Sequence, residues 1–97
     1  MKRIKLFVRK NLKMSPGKIA AQCVHAALGL NQEYSPSLSP MLSVVVLEVS
    51  DTKFNEAKAN ITETGSAYVV SDAGYTEIAP GTETVLAFLE DDPRSKE

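Results

Sequence analysis

Residues 18–30, Lys-Ile-Ala-Ala-Gln-Cys-Val-His-Ala-Ala-Leu-Gly-Leu, constrain the fold more than any other stretch of this chain. Ser15 suits a helix N-cap and Pro16 the first helical position, where a missing N–H does no harm. At about 100° per residue, Ile19, Cys23, Ala26, Ala27 and Leu30 fall on one side of the helix. Ala21, Val24 and Leu28 fall on another. Lys18, Gln22 and His25 share a single narrow stripe, which Gly29 continues. A helix that is apolar nearly all round is normally buried, so its polar line must face a cleft or find partners inside.

Covering such a helix calls for a sheet, and the flanking residues supply one. Residues 2–9 alternate: Ile4, Leu6 and Val8 on one face, Arg3, Lys5 and Phe7 on the other. That is the period of a strand with one face buried. Residues 10–15 form a loop at its carboxyl end. Residues 31–40 hold Pro36, Pro40 and three serines and read as an ordered surface loop with at most one helical turn. Residues 43–49 are rich in Val and Leu and long enough for a central strand. Ser50 or Asp51 caps a second helix over 52–64, with Phe54, Ala57, Lys58 and Ile61 matching one packed face and Gly65 stopping it. A third strand spans 66–71 and ends in the turn Asp72-Ala-Gly74. Pro80-Gly81 suits a type II turn, and residues 83–89 form a fourth strand. Residues 90–97 read as a charged, frayed tail. The order β-α-β-α-β-β implies one small α/β domain over 1–97: a four-stranded mixed sheet with helices packed on its faces.

The 97 residues suffice for a single core. No apolar run approaches membrane-spanning length, and the apolar centre near residue 7 is too short for a secretory signal. Cys23, the lone cysteine, cannot form an internal disulfide, and one Cys with one His makes no metal-ligand cluster. These features favour the cytoplasm, with neither membrane nor metal. The net charge of −1 hides an asymmetry. Seven basic residues precede the first acid, Glu33, whereas residues 31–97 carry four basic against twelve acidic side chains. A basic segment on an acidic body suits a phosphate-bearing partner; the plainer reading is a solvated strand and loop.

The polar stripe has a counterpart. Lys18 stands in the first turn of a helix that starts just beyond the carboxyl end of the first strand, and Asp72 lies just beyond the carboxyl end of the third. Ligands of open α/β sheets gather in that crevice. If those two strands are parallel neighbours, the Lys18 ammonium and the Asp72 carboxylate converge. Thr76 follows in the next loop, Gln22 is one turn below Lys18, and His25 lies about 10 Å along the axis, near the cleft floor. Each has a plainer reading: an ion pair for Lys18 and Asp72, a buried hydrogen bond for Gln22, a packed histidine, a turn cap for Thr76, an Asx-turn for Asp72. Cys23 lies on the apolar side and reads as core.

The segments Ile4-Lys-Leu-Phe-Val-Arg-Lys-Asn-Leu-Lys-Met14, Gly17-Lys-Ile-Ala-Ala-Gln-Cys-Val-His-Ala-Ala-Leu28, Asp72-Ala-Gly-Tyr-Thr-Glu-Ile-Ala-Pro-Gly-Thr82 and Thr84-Val-Leu-Ala87 resemble the type 2 peptidyl-tRNA hydrolase family of archaea and eukaryotes. The resemblance covers nearly the whole domain apart from residues 31–42, a segment shorter here than the family's. It implies hydrolysis of the ester joining a peptide to the 3′ ribose of tRNA, with peptidyl-tRNA as partner and no metal or organic cofactor. The family's functional positions carry over as Lys18, Gln22, His25, Asp72 and Thr76, all matching in type. Lys10, Lys13 and Lys2 are the expected tRNA-binding cations. Family members are commonly dimers, so the side bearing Ala21, Val24 and Leu28 could pack on the sheet or on a second copy. The chain departs from the pattern at Tyr75, where the family has a basic residue, at Glu77, where it has Gln, and at Glu83, where a basic residue is common. An acidic rim repels phosphate, so tRNA binding is expected to be weaker than usual and steeply salt-dependent. The alternative is a non-catalytic or substrate-diverged member acting as a small binding protein.

Overall fold

The computed structural model describes residues 2–34, 39, 41–62, 67–74 and 78–94. Strand β1 (Lys2–Arg9) leads through a 3-10 turn (Lys10–Leu12) into helix α1 (Pro16–Tyr34); strand β2 (Val44–Val49), helix α2 (Asp51–Thr62), strand β3 (Ala67–Ser71) and strand β4 (Glu83–Asp91) follow. The sheet order is β2-β1-β4-β3. β1 is parallel to β2, and β4 is antiparallel to both β1 and β3. This is the expected four-stranded mixed sheet with two helices.

The period of two in β1 is real, but both of its faces are covered. Ile4, Leu6 and Val8 join Val85, Ala87, Val70 and the α1 residues Ala26 and Leu30 in one core cluster. Phe7 joins Leu86, Phe88 and Phe54 of α2 in a second cluster on the other face. Phe7 and Phe88 meet edge to face, their centroids 5.3 Å apart. The helices thus lie on opposite faces, and the sheet is the middle layer.

Both helices start on serine caps. The Lys18 amide donates to Ser15 Oγ at 3.2 Å, and the Lys53 amide to Ser50 Oγ at 3.2 Å, which makes Ser50 rather than Asp51 the cap of α2. Pro16 occupies the first position of α1 as expected. The type II turn is present as well: Thr82 N–H donates to Ala79 O, and Gly81 sits at φ +81°, where a side chain would be strained.

Four expectations change. Helix α1 runs on to Tyr34, because Asn31, Gln32 and Glu33 carry nothing that breaks a helix. The rest of the expected 31–40 loop lies outside the described residues apart from Ser39, as do residues 63–66. α1 is not buried all round: Ile19, Cys23, Ala26 and Leu30 pack on the sheet, whereas Val24 and Leu28 are 57% and 61% exposed. β2 is an edge strand, not a central one, and Val44, Val46 and Leu47 are exposed. β4 continues through Glu90 and Asp91 instead of fraying at residue 90. There Arg3 and Lys5 of β1 pair with Glu90, and Lys2 with Asp91. Beyond it Asp92 is buried and accepts hydrogen bonds from the Arg94 amide and guanidinium, which hold its carboxyl down to about 2; residues 95–97 are outside the described set.

The two classes of apolar residue on these helices differ in what they contribute. Replacing the buried Phe54 by Ala is expected to cost about 3–5 kcal/mol, a large share of the roughly 5–15 kcal/mol that holds such a domain folded. Leu28→Ala is expected to change stability by less than about 0.5 kcal/mol. Urea denaturation of the two variants beside the parent protein checks the contrast.

Candidate active site

The carboxyl end of β3 delivers Asp72 to the side of α1, and the backbone holds it there. Asp72 N–H donates to Thr82 O at 2.9 Å, and Gly81 N–H donates to Asp72 O at 2.8 Å, so the turn after residue 78 clamps the residue from both sides. Its side chain is engaged just as fully. Lys18 Nζ approaches Oδ1 to 2.5 Å, Gln22 Nε2 donates to the same oxygen at 2.6 Å, and the Gly74 amide donates to Oδ2 at 2.8 Å. Gly74 sits at φ +86°, which lets the chain turn back to make that bond. Asp72 is only 7% exposed and Gln22 only 3%.

The geometry joins two readings that the sequence left as alternatives. Asp72 closes an Asx-turn with one oxygen and meets the polar stripe of α1 with the other. The expected route was different, however. β1 and β3 run in the same direction but are not neighbours, since β4 lies between them. Lys18 still reaches Asp72 because α1 crosses the sheet towards β4 and β3, not back over β2.

The electrostatics follow from these contacts. The Lys18 ammonium, then the Gly74 amide and Gln22, hold the Asp72 carboxyl below its usual range against the opposing effect of burial. Cys23 behaves as core: it packs beside the α1 cluster, and burial pushes its thiol up, away from the reactive thiolate. Of the first helical positions, Pro16 has no N–H and the Lys18 amide is taken by Ser15. Lys18 is the lysine of α1, and its ammonium is the charge that the helix brings to Asp72.

The cleft beside this cluster has a volume of about 500 Å³ and follows α1 for four turns, past Lys18, Gln22, His25, Gly29 and Gln32. His25 lines it, exposed, one turn below Gln22. Lys10 and Lys13 are exposed on the turn that leads into α1, with Lys13 in the left-handed region at φ 53°. Lys2 is not with them. It stands at the opposite end of β1, about 23 Å away along the strand, paired with Asp91 at 2.9 Å. Thr76 lies outside the described residues, as do Tyr75 and Glu77. Glu83 is no bare anion on the rim: Lys58 of α2 approaches it to 2.6 Å. Among the described residues, no group of three or more His, Cys, Asp or Glu side chains could hold a metal ion. No helix among them is long and apolar enough to cross a membrane.

The family model described as peptidyl-tRNA hydrolase PTH2 matches residues 3–95, all but the ends of the chain. The chain belongs to this family. The peptidyl-tRNA hydrolase of Methanothermobacter thermautotrophicus is 37% identical over 94 residues, covering 90% of this chain and 84% of the archaeal one. The human mitochondrial peptidyl-tRNA hydrolase 2 is 36% identical over 91 residues, and peptidyl-tRNA hydrolase 2 of Saccharomyces cerevisiae 35% over 100. The chain spans 51% of the human relative and 48% of the yeast one, against most of the archaeal one.

Two contributors to this cleft escaped the sequence reading. Tyr68 shares the face of β3 that carries Val70 and Asp72, and its ring lies against α1 at Gly29, where a methyl group would overlap it. The period of two along β3 already placed residues 68, 70 and 72 together. The backbone clamp from Gly81 and Thr82 left no comparable trace.

Because the carboxyl of Asp72 is depressed in the folded state, it favours folding above the ordinary aspartate range, and this contribution is lost as pH falls through the native value. Asp72→Asn is therefore expected to flatten the loss of stability as pH falls below the ordinary aspartate range, about pH 4. Removing the Lys18 charge by Lys18→Met is expected to raise the Asp72 titration midpoint. Carboxyl carbon NMR and denaturation at stepped pH read both.

Proposed function

We propose that this chain is a peptidyl-tRNA hydrolase that cleaves the ester between a peptide and the 3′ ribose of tRNA. Family membership supports the substrate class, and one observation supports this cleft as the site: Lys18 and Gln22 converge on a buried, ionised Asp72.

The chemistry assigned to these groups is modest. Water adds to the ester carbonyl carbon, and negative charge grows on the carbonyl oxygen. The Lys18 ammonium stabilises that charge. Asp72 Oδ1 already accepts from two donors, so Oδ2, which among the described residues accepts from Gly74 alone, is the oxygen left to orient the attacking water. A carboxylate with a depressed pKa is a weak base, so Asp72 acts more through orientation and charge than by holding a proton. The tetrahedral intermediate collapses by breaking the bond to the ribose oxygen, and the proton lost by water returns to that leaving oxygen. Gln22 fixes the Asp72 carboxylate, and His25 lines the cleft wall beside it. Thr76 completes the set on the family motif. Lys10 and Lys13 bind the tRNA backbone; Lys2, at the other end of β1, is a weaker candidate. A second copy would pack on the Ala21, Val24 and Leu28 side of α1 at the exposed Val24, since Ala21 and Leu28 line the cleft. The cytoplasm is the compartment that the lone cysteine favours.

The alternative of a non-catalytic binding protein drew on an acidic rim. The pairing of Glu83 with Lys58 weakens that support.

Lys18→Ala and Asp72→Asn are each expected to lower kcat for an N-acetylated aminoacyl-tRNA by 100-fold or more, on the scale of losing one preorganised charge-stabilising group. Single-turnover hydrolysis at low salt measures this, and unchanged rates in both variants would remove the proposal. For binding, Lys10→Ala and Lys13→Ala are each expected to reduce the dependence of log K on log salt by about one counterion. Lys2→Ala should leave that slope nearly unchanged. Filter binding between 50 and 200 mM salt distinguishes them.

A further inference from the structure

The groove along α1 changes character from one end to the other. At the amino end of the helix stand Lys18 and Asp72, with the exposed Lys10 and Lys13 on the adjoining turn. At the other end the lining comes from Leu28, Gly29, Gln32 and Tyr68, none of them charged. Lys18 and Gln32 are separated by about 21 Å along the helix.

The neutral end has a built wall. Gly29 has no side chain, so the Tyr68 ring rests directly on the backbone of α1. The ring also packs against the core cluster beneath α1 and is only partly buried, so one part of it faces the groove. A ring fixed between a helix and a core is an aromatic surface that loses little freedom on binding.

Resting on the hydrolase reading above, we infer that this neutral end is the subsite for the last two residues of the peptide, and that Tyr68 confers a preference for large apolar or aromatic side chains there. A peptidyl-tRNA has a polyanionic half and a peptide half joined at the ester. The cations at one end of the groove suit the polyanion. With the ester at Lys18 and Asp72, what continues past it towards Tyr68 is peptide. Tyr68 lies four residues before Asp72 on β3, about 13 Å away, which the side chains of the last two residues of an extended peptide can span. Leu28 adds an apolar contact, and Gln32 offers an amide to peptide backbone groups.

The test loads one tRNA with either N-acetyl-Phe-Phe or N-acetyl-Gly-Gly and compares kcat/KM for the two donors within each protein. The comparison does not depend on the fraction of a variant that folds. Tyr68→Ala is expected to lower the Phe-Phe to Gly-Gly ratio by about 3- to 10-fold, the range of an aromatic contact. Tyr68→Phe should keep the ratio, and Gly29→Ala, which displaces the ring, should lower it. An equal loss on both donors overturns the inference, because the ring then does not distinguish the peptide side chains. An unchanged ratio with unchanged rates overturns it too, and makes the ring a plain wall. If the unaltered protein hydrolyses neither donor, the hydrolase reading falls and this subsite with it, an outcome distinct from the other two.

Discussion

Everything near the cleft is organised by the carboxylate of Asp72. Its three donors among the described residues come from two separate parts of the chain, Lys18 and Gln22 on α1 and Gly74 in the turn after β3. Its own backbone is bonded to Gly81 and Thr82, just before β4. One side chain therefore fixes the distance between a helix and the edge of the sheet. A buried charge is tolerated only when its lone pairs are satisfied, and here the lysine charge, an amide side chain and a backbone N–H meet that need. The same arrangement leaves a polarised, partly dehydrated pair at the mouth of a groove, which ester hydrolysis can use. The requirement for stability and the requirement for chemistry coincide at this residue.

Much of this could be read before any coordinates. A helix with a single polar line needed something opposite that line, and Asp72 was the acid at the end of a strand that could supply it. The serine caps, the Pro16 start and the Pro80-Gly81 turn are local chemistry, set by residues close in sequence. What escaped the reading was non-local. The run of Val and Leu in β2 looks central because five of its six residues are apolar, but edge or centre is decided by pairing order. That order puts β4 beside β1 and leaves Val44 and Val46 uncovered. Glu90 and Asp91 look like a tail until they are set beside Arg3 and Lys2, whose charges they match across the sheet. Lys2 looks like a partner of Lys10 and Lys13 only while the strand between them is ignored.

The site shows the same division. Lys18, Gln22 and His25 share the cleft because a helix fixes them in line. Gly29 extends that line with no partner visible nearby in the chain; the partner is Tyr68, from a strand nearly forty residues later. Glu83 is an acid where the family resemblance leads one to expect a base, and taken alone it argues against binding phosphate. Lys58, from the far face of the sheet, answers its charge. Substitutions that look severe one position at a time can be offset by a residue that no local pattern connects to them.

The sheet order also separates two kinds of surface. β2 forms one border of the sheet, with Val44, Val46 and Leu47 open to solvent, and β3, which carries the cleft, forms the other. An unpaired apolar border is where further chains tend to add on. Whatever lines up along β2 does so with β2, β1 and β4 between itself and β3, so assembly at that margin would leave the groove beside β3 open.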